Sequence, residues 1–212
     1  MDIEVIIDTI CPWCYIGKRR LEQALALRSH VAARLIWRPF LLNREMPADG
    51  ANRTAYLIRK FGSEARVRRI YGAISQAGES VDINFDFDRI DRTPNSVDSH
   101  RIVQLAQEAG FADAMVEALY HAHFVEGLDL GERDVLLEIA ATIGLNASVA
   151  QAHLDSDVNI DLVYDENTRA HRMGINGVPA FVFNESMVIS GAQEPQVLAR
   201  MIDAAAAMET AA

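Results

Sequence analysis

The chain is poor in cysteine, with two residues among 212, Cys11 and Cys14. One pair leaves no room for a framework of structural disulfides, and it falls short of the roughly four ligands of a closed zinc site. Long apolar runs are missing too: no window approaches the roughly 18 unbroken apolar residues of a membrane span. Basic residues are outnumbered, 20 against 30 acidic, and the net charge of −10 argues against a dedicated nucleic-acid binder. The N-terminus lacks the basic stretch of a secretory leader, because Asp2 and Glu4 stand where it would be. These absences lead to the expectation of a cytoplasmic protein with neither a membrane nor a nucleic-acid partner. A reducing compartment also suits an isolated reactive pair of thiols. Half of the residues are apolar, enough at this length for a substantial core in one domain or in two closely packed ones.

What is present is concentrated. The two cysteines are three residues apart, in Cys11-Pro12-Trp13-Cys14. Ahead of them runs Ile3-Glu4-Val5-Ile6-Ile7-Asp8, whose β-branched residues predict a buried strand. After them, Ile16, Leu21, Ala24 and Leu25 roughly follow a helical stripe over Tyr15 to Leu27. Strand, Cys-x-x-Cys, helix is the arrangement of a thioredoxin-like redox site, and a helix N-terminus favours a thiolate. A second concentration is basic: Arg53, Arg59, Lys60, Arg66, Arg68 and Arg69 face a single acid, Glu64, between Arg53 and Arg69. Such a run is either a solvated helix face or a rim that attracts acidic substrates or the carboxylates of glutathione.

A second strand is expected over Leu35-Ile36-Trp37-Arg38-Pro39-Phe40, with Pro39 near its exit or on an edge. From Met46 to Leu154 the pattern is helical almost throughout. Stripes at Ile102/Leu105/Ala106/Ala109, Met115/Ala118/Leu119/Ala122 and Leu136/Ile139/Ala140/Ile143 stop at Gly110, Gly127 and Gly144, and Asn146 suits a following helix cap. Strand character returns in Ala180–Phe183 and Met187–Ser190, a hairpin around Asn184-Glu185-Ser186. Pro195 then opens a last helix carrying Val197, Leu198, Met201 and Ile202. With a crossover helix over Asn159 to Met173, the order predicts an α/β thioredoxin fold with a large all-helical insertion. Residues 1–45 and 155–212 form the thioredoxin-like part, and 46–154 the insertion.

Asp8 to Lys18, Trp37-Arg38-Pro39-Phe40-Leu41-Leu42-Asn43, Met46-Pro47, Pro94-Asn95-Ser96, Gly177-Val178-Pro179-Ala180-Phe181-Val182 and Ser190-Gly191-Ala192-Gln193 resemble the DsbA-family oxidoreductases of the FrnE-like branch. The match runs in order along essentially the whole chain, and it implies thiol–disulfide exchange. Cys11, at the helix entry, is the expected nucleophile, and Cys14, one turn further in, the resolving thiol. Pro12 preorganises the first turn. Trp13 shapes the substrate surface; its indole cannot carry the charge of the histidine found between the cysteines of strongly oxidising DsbA enzymes. A less stabilised thiolate and a couple more reducing than their roughly −120 mV follow as an expectation. The resemblance further implies that Pro179 is cis and faces the cysteines, leaving the Val178 backbone to pair with an extended substrate; the alternative is a trans-proline opening a strand. Asp8 is either a proton relay to Cys14 or a turn residue holding backbone N–H groups. Phe40 and Asn95 line the cleft between the two parts on family pattern alone. His121 and His123 are not on facing helical positions, and His100 and His171 read as surface or packing residues.

Three functions compete. A disulfide oxidoreductase or isomerase would need no cofactor beyond its dithiol, with glutathione as a conceivable co-substrate and protein or small-molecule disulfides and thiols as partners. A glutathione-dependent isomerase or transferase of the 2-hydroxychromene-2-carboxylate isomerase or kappa type shares the inserted architecture, but generally carries serine at the first active position. A peptide-binding module with a vestigial site is the third. The oligomeric state and the direction of catalysis are not encoded in these motifs.

Overall fold

A computed structural model describes residues 1–211. The first strand, β1 (Asp2–Ile7), is buried from Ile3 onward, as its β-branched composition requires when both faces are covered. It pairs in parallel with β2 (Arg34–Pro39), Ile3 opposite Leu35 and Ile7 opposite Pro39. The sheet order is β2-β1-β5-β6, so β2 is an edge strand and the missing N–H of Pro39 costs no ladder bond. The other two strands are β5 (Ala180–Phe183) and β6 (Met187–Ser190). β5 runs antiparallel to β1, with Ile6 opposite Ala180, and β6 closes the hairpin.

Side-chain parity sends each strand's residues to two different cores. Ile3, Val5, Ile7, Phe181 and Phe183 pack under α1 (Pro12–Ala26) and α9 (Pro195–Ala211), together with Leu198 and Ile202. Ile6, Ala180 and Val182 lie on the opposite face with Ala170 of α8 (Ile160–Arg172). Each large apolar side chain withdrawn in this way contributes roughly 1.5–3 kcal/mol. Glu4 is buried on the α8 face, where Arg38 (2.8 Å) and Arg169 (2.7 Å) neutralise it.

Between β2 and α8 come α2 (Arg53–Phe61), α3 (Glu64–Glu79), α4 (Val97–Glu108), α5 (Ala112–Phe124), α6 (Arg133–Thr142) and α7 (Ala147–Asp155). The three stops at Gly110, Gly127 and Gly144 have φ of 81°, 77° and 90°, a left-handed turn that glycine makes without strain. Asn146 caps α7, its side-chain oxygen accepting from the Ser148 and Val149 N–H groups. The expectation of an all-helical insertion needs one correction. Two short strands, β3 (Ala51–Asn52) and β4 (Arg92–Thr93), pair antiparallel within it, and a 3-10 turn covers Phe87–Arg89. Two-residue strands carry no periodicity, so they leave no trace in the pattern. The main core is continuous across both parts, running from Ile3 and Phe181 through Tyr15 and Tyr120 to Leu136 and Leu154.

The helix that carries the cysteines is fastened on two sides. Lys18 is 2% exposed and meets Glu22, Asp113 (3.3 Å) and Glu117 (3.2 Å), while the Tyr15 hydroxyl donates to Glu117 at 2.7 Å. On the other side Arg20 donates to the Ala192 carbonyl at 2.5 Å and pairs with Glu194 at 2.8 Å.

Candidate active site

Cys11 is the N-cap residue of α1, with φ −102° and ψ 111°, and Pro12 occupies the first helical position. No side-chain cap competes for the first-turn N–H groups, which a helix leaves without internal partners. Both thiols are free, and both cysteines are buried, Cys11 at 4% and Cys14 at 0% exposure. Burial pushes the Cys14 thiol well above the ordinary range, reinforced by hydrogen bonding and charge repulsion with Cys11 and by the charge of Asp8. Cys14 is therefore a proton-bearing thiol at rest.

Opposite Cys11 stands the loop before β5. The Val178–Pro179 bond is cis, and the Cys11 thiol lies 3.7 Å from the Val178 carbonyl oxygen, to which it donates. The Val178 N–H has no hydrogen-bond partner among the described residues. The loop is pinned by Gly191, whose N–H donates to the Pro179 carbonyl at 2.7 Å, and by a close approach to α1. A Cβ at Gly17 would lie 2.6 Å from Pro179 Cγ and 3.4 Å from Phe181 Cζ. Only the absence of a side chain lets the cysteine helix and the proline loop meet here. Nothing but its place in the family motif marked Gly17 beforehand, although a glycine inside a helix costs about 1 kcal/mol against alanine and is a signal in itself.

Asp8 is fully buried behind the pair. Its carboxylate accepts from the Leu42 N–H at 2.7 Å and the Ile10 N–H at 3.3 Å, with His100 Nε2 at 3.5 Å. That is the geometry of a residue holding a turn. The Asp8 carbonyl accepts from Cys11 N–H (3.1 Å) and from the Tyr120 hydroxyl (3.3 Å), which burial and the surrounding sulfur and carboxylate charges keep protonated well above the usual phenol range. His100 is 1% exposed and also contacts the Phe40 carbonyl at 3.1 Å, so it packs behind the site.

A cavity of about 310 Å³ opens beside Cys11, bordered by Trp13, Arg53, Tyr56, Tyr71 and Val178 among others. Neither of the two expected cleft residues borders this cavity, although Asn95 lines another, of about 210 Å³, with Ile160 and Tyr164 of α8. Phe40 is buried on the α8 face against Ile6, Ala170 and Ile175, its ring 5.0 Å from that of His171. Asn95 donates to the Met46 carbonyl at 2.7 Å and accepts from Val97 N–H at 2.9 Å, so it ties the start of the insertion to α4. The basic run divides: Arg53 and Lys60 border the cavity, whereas Arg59, Arg66, Arg68 and Arg69 are solvated, Arg68 pairing with Glu64 at 2.6 Å. Among the described residues, no group of three or more His, Cys, Asp or Glu side chains is placed to hold a metal ion, and no helix is long and apolar enough to cross a membrane.

The profile of the DSBA-like thioredoxin domain matches residues 2–203. The chain belongs to this family. A relative in Bacillus subtilis, the uncharacterized protein YwbO, is 22% identical over 201 residues and 94% of each chain. Among solved structures, the probable DsbA oxidoreductase SCO1869 from Streptomyces coelicolor superposes with a TM-score of 0.88 at 28% identity, covering 97% of this chain and 89% of its own. A 2-hydroxychromene-2-carboxylate isomerase gives 0.72 at 14% identity over 99% and 98%. The cytosolic disulfide reductase DsbM from Pseudomonas aeruginosa, with glutathione, gives 0.61 at 22% identity over 99% and 98%. These last two likenesses are of fold. In this DSBA-like chain the α/β thioredoxin frame with its inserted helices thus carries a dithiol at the N-cap of α1.

Proposed function

We propose that this chain is a thiol–disulfide oxidoreductase of the FrnE-like branch, with Cys11 as nucleophile and Cys14 as resolving thiol. One observation carries the reading: Cys11 caps α1 directly across from the cis Val178–Pro179 peptide, with Cys14 buried behind it. The Cys11 thiolate attacks one sulfur of a substrate disulfide, forming a mixed disulfide and expelling the other sulfur as thiolate. Cys14 then gives up its proton and attacks Cys11 Sγ. The Cys11–substrate bond breaks, the second substrate thiolate takes up a proton, and the protein is left oxidised. Run backwards, the same steps oxidise a substrate dithiol.

The unpaired Val178 N–H supports docking of an extended substrate strand, Pro179 offering no donor to compete. Pro12 and Trp13 flank the attacking sulfur. Asp8 serves as a turn holder whose charge helps keep Cys14 protonated until resolution. Protein or small-molecule disulfides and thiols are the substrate class, with glutathione as an electron donor in a cytoplasmic setting. The isomerase alternative rests on fold alone, and the second cysteine speaks for redox chemistry.

The test is insulin reduction and refolding of a scrambled disulfide protein. Cys11→Ser should bring both to the background rate. Cys14→Ala should stop turnover yet accumulate a mixed disulfide on Cys11 that a reductant releases. Turnover surviving in Cys11→Ser, or no adduct in Cys14→Ala, would refute the assignment.

A further inference from the structure

Arg53 is a cation buried without an anion. It opens α2 at 8% exposure, and no carboxylate forms an ion pair with it among the described residues. Its Nη2 donates to the Tyr71 hydroxyl at 2.7 Å, and the guanidinium lies 5.4 Å from the centre of that ring. Its Nε has no partner among the described residues. Burying a charge in this way is costly unless a counter-charge completes the site, and burial pulls the guanidinium below its ordinary range. Thr93 repeats the pattern nearby: it is 4% exposed and its hydroxyl is likewise without a partner. The β3–β4 ladder brings the two together, since Ala51 is opposite Thr93 and the Arg53 N–H donates to the Asp91 carbonyl at 3.1 Å.

Both residues line the cavity that contains Cys11. Its other walls include Tyr56, Leu57, Ile70 and Ile74, with Lys60 as a second cation and no acidic residue. Arg53 also borders a neighbouring cavity, but there Glu64, Asp88 and Asp91 outnumber Arg68, which is itself paired with Glu64 at 2.6 Å, and disfavour an anion. The Cys11 side is the one electrostatically open to it. At about 310 Å³ the cavity is near the lower end of small-molecule sites, the size for a single-ring compound.

We propose that this cavity binds small aromatic thiol acids and their disulfides, the carboxylate held at Arg53 and Thr93 and the sulfur presented to Cys11. This rests on the thiol–disulfide reading above and names its substrate class. In the forward direction Cys11 thiolate breaks the S–S bond of such a disulfide, forming the aryl mixed disulfide and releasing one aryl thiolate. Cys14 then displaces the second, so that two aryl thiols form as the Cys11–Cys14 dithiol is oxidised.

The probe is 3,3′-dithiobis(benzoic acid) against its dimethyl ester, in single turnovers of the pre-reduced protein. Each rate is divided by that compound's rate with dithiothreitol. The wild type should favour the acid at least tenfold, Arg53→Gln should bring the ratio near one, Thr93→Val should lower it several-fold, and Arg53→Lys should keep most of it. An acid-to-ester ratio near one in the wild type, or a ratio unchanged in Arg53→Gln, overturns the pocket while leaving the redox reading standing. Oxidised glutathione reacting faster than the acid overturns its aromatic half. If neither aryl compound reacts while insulin is still reduced, the aryl substrate class falls and the redox reading stands; if insulin is not reduced either, the redox reading falls, and a separate measurement decides the pocket. Binding of 3-(methylthio)benzoate to Cys11→Ser protein, followed by tryptophan quenching at Trp13, should weaken about tenfold with Arg53→Gln; absence of binding overturns the pocket.

Discussion

Two walls meet at Cys11, and they are made of different materials. The first is backbone: the N-terminus of α1, the cis Val178–Pro179 peptide, and Gly17 brought against Pro179 by having no side chain. The second is side chain: Arg53, Tyr56, Tyr71 and Thr93, supplied by α2, α3 and β4 of the insertion. Behind that wall the packing is aromatic, with Tyr71 stacked on Phe87 at 4.2 Å, Phe87 on Phe85 at 5.0 Å, and Phe124 edge-on to both. Backbone contacts position reacting sulfur with little room for adjustment. Side-chain walls can be exchanged without moving the sulfur, so selectivity can change while the chemistry stays. The comparison implies that damage to the first wall costs rate, and damage in the insertion costs stability or selectivity.

The largest expected stability effect lies in the insertion. His123 in α5 is fully buried; its Nδ1 lies 2.9 Å from the Leu128 carbonyl, to which it donates, and its Nε2 has no partner among the described residues. Burial, aided by repulsion from Arg53, pushes its pKa from 6.5 down to about 4. The unfolded chain therefore takes up a proton on His123 in a pH range where the folded chain does not. This stability is fully present above about pH 6.5 and is lost as the pH falls through about 4, with a maximum of about 3 kcal/mol. Urea unfolding at pH 7 and pH 4 should show that share of acid destabilisation in the wild type and not in His123→Gln, with thiol exchange at pH 7 unchanged. Equal acid sensitivity of the two proteins would contradict it.

Next in size is Gly17→Ala, which tests the backbone wall. Helix propensity alone predicts a gain of about 1 kcal/mol, because Gly17 is inside α1. The added Cβ, however, would sit 2.6 Å from Pro179 Cγ, and overpacking of this kind costs about 1–3 kcal/mol. The expected sign is a loss, seen as a lowered Tm. Insulin reduction should fall by more than the lost stability explains, since the Pro179 loop must move away from Cys11. A stabilised variant with full activity would show that the two walls differ less than proposed.

How far the sequence carried the argument follows the same division. β1, the Cys-x-x-Cys turn, the β5–β6 hairpin and the helix stops at Gly110, Gly127 and Gly144 were all legible, because each is dictated by residues adjacent in the chain. Asp8 stayed ambiguous because the N–H group that decides its role belongs to Leu42, 34 residues away. Phe40 was misplaced although a signal existed: it shares strand parity with Arg38, whose guanidinium pairs with Glu4 on the α8 face. Asn95 lines a cavity between the insertion and α8 but not the one at Cys11, and its tie to the Met46 carbonyl, 49 residues away in the chain, left no sign of that. Arg53 was hidden in a run of six basic residues, five of them exposed or at the rim. Its burial depends on the β3–β4 ladder, and strands of two residues are below what any periodicity can reveal.

The smallest effect is the cleanest control. Asn146 is exposed and far in sequence from both cysteines, and its Oδ1 accepts from the Ser148 N–H at 3.0 Å and the Val149 N–H at 3.2 Å. Asn146→Ala leaves these two first-turn donors to water and should cost about 1 kcal/mol, a drop of roughly 2–4 °C in Tm for a chain of this size. Asn146→Asp keeps the acceptor and should lose almost nothing. α7 packs against α4 and α6: its buried Ala150 and Leu154 join the common core, and the His153 carbonyl takes a hydrogen bond from Arg101 at 2.5 Å. The rate of disulfide reduction should therefore be the same in all three proteins. A slowed Asn146→Ala would mean that the insertion's packing reaches the reacting sulfur after all, and the division between a wall for chemistry and a wall for selection would no longer hold.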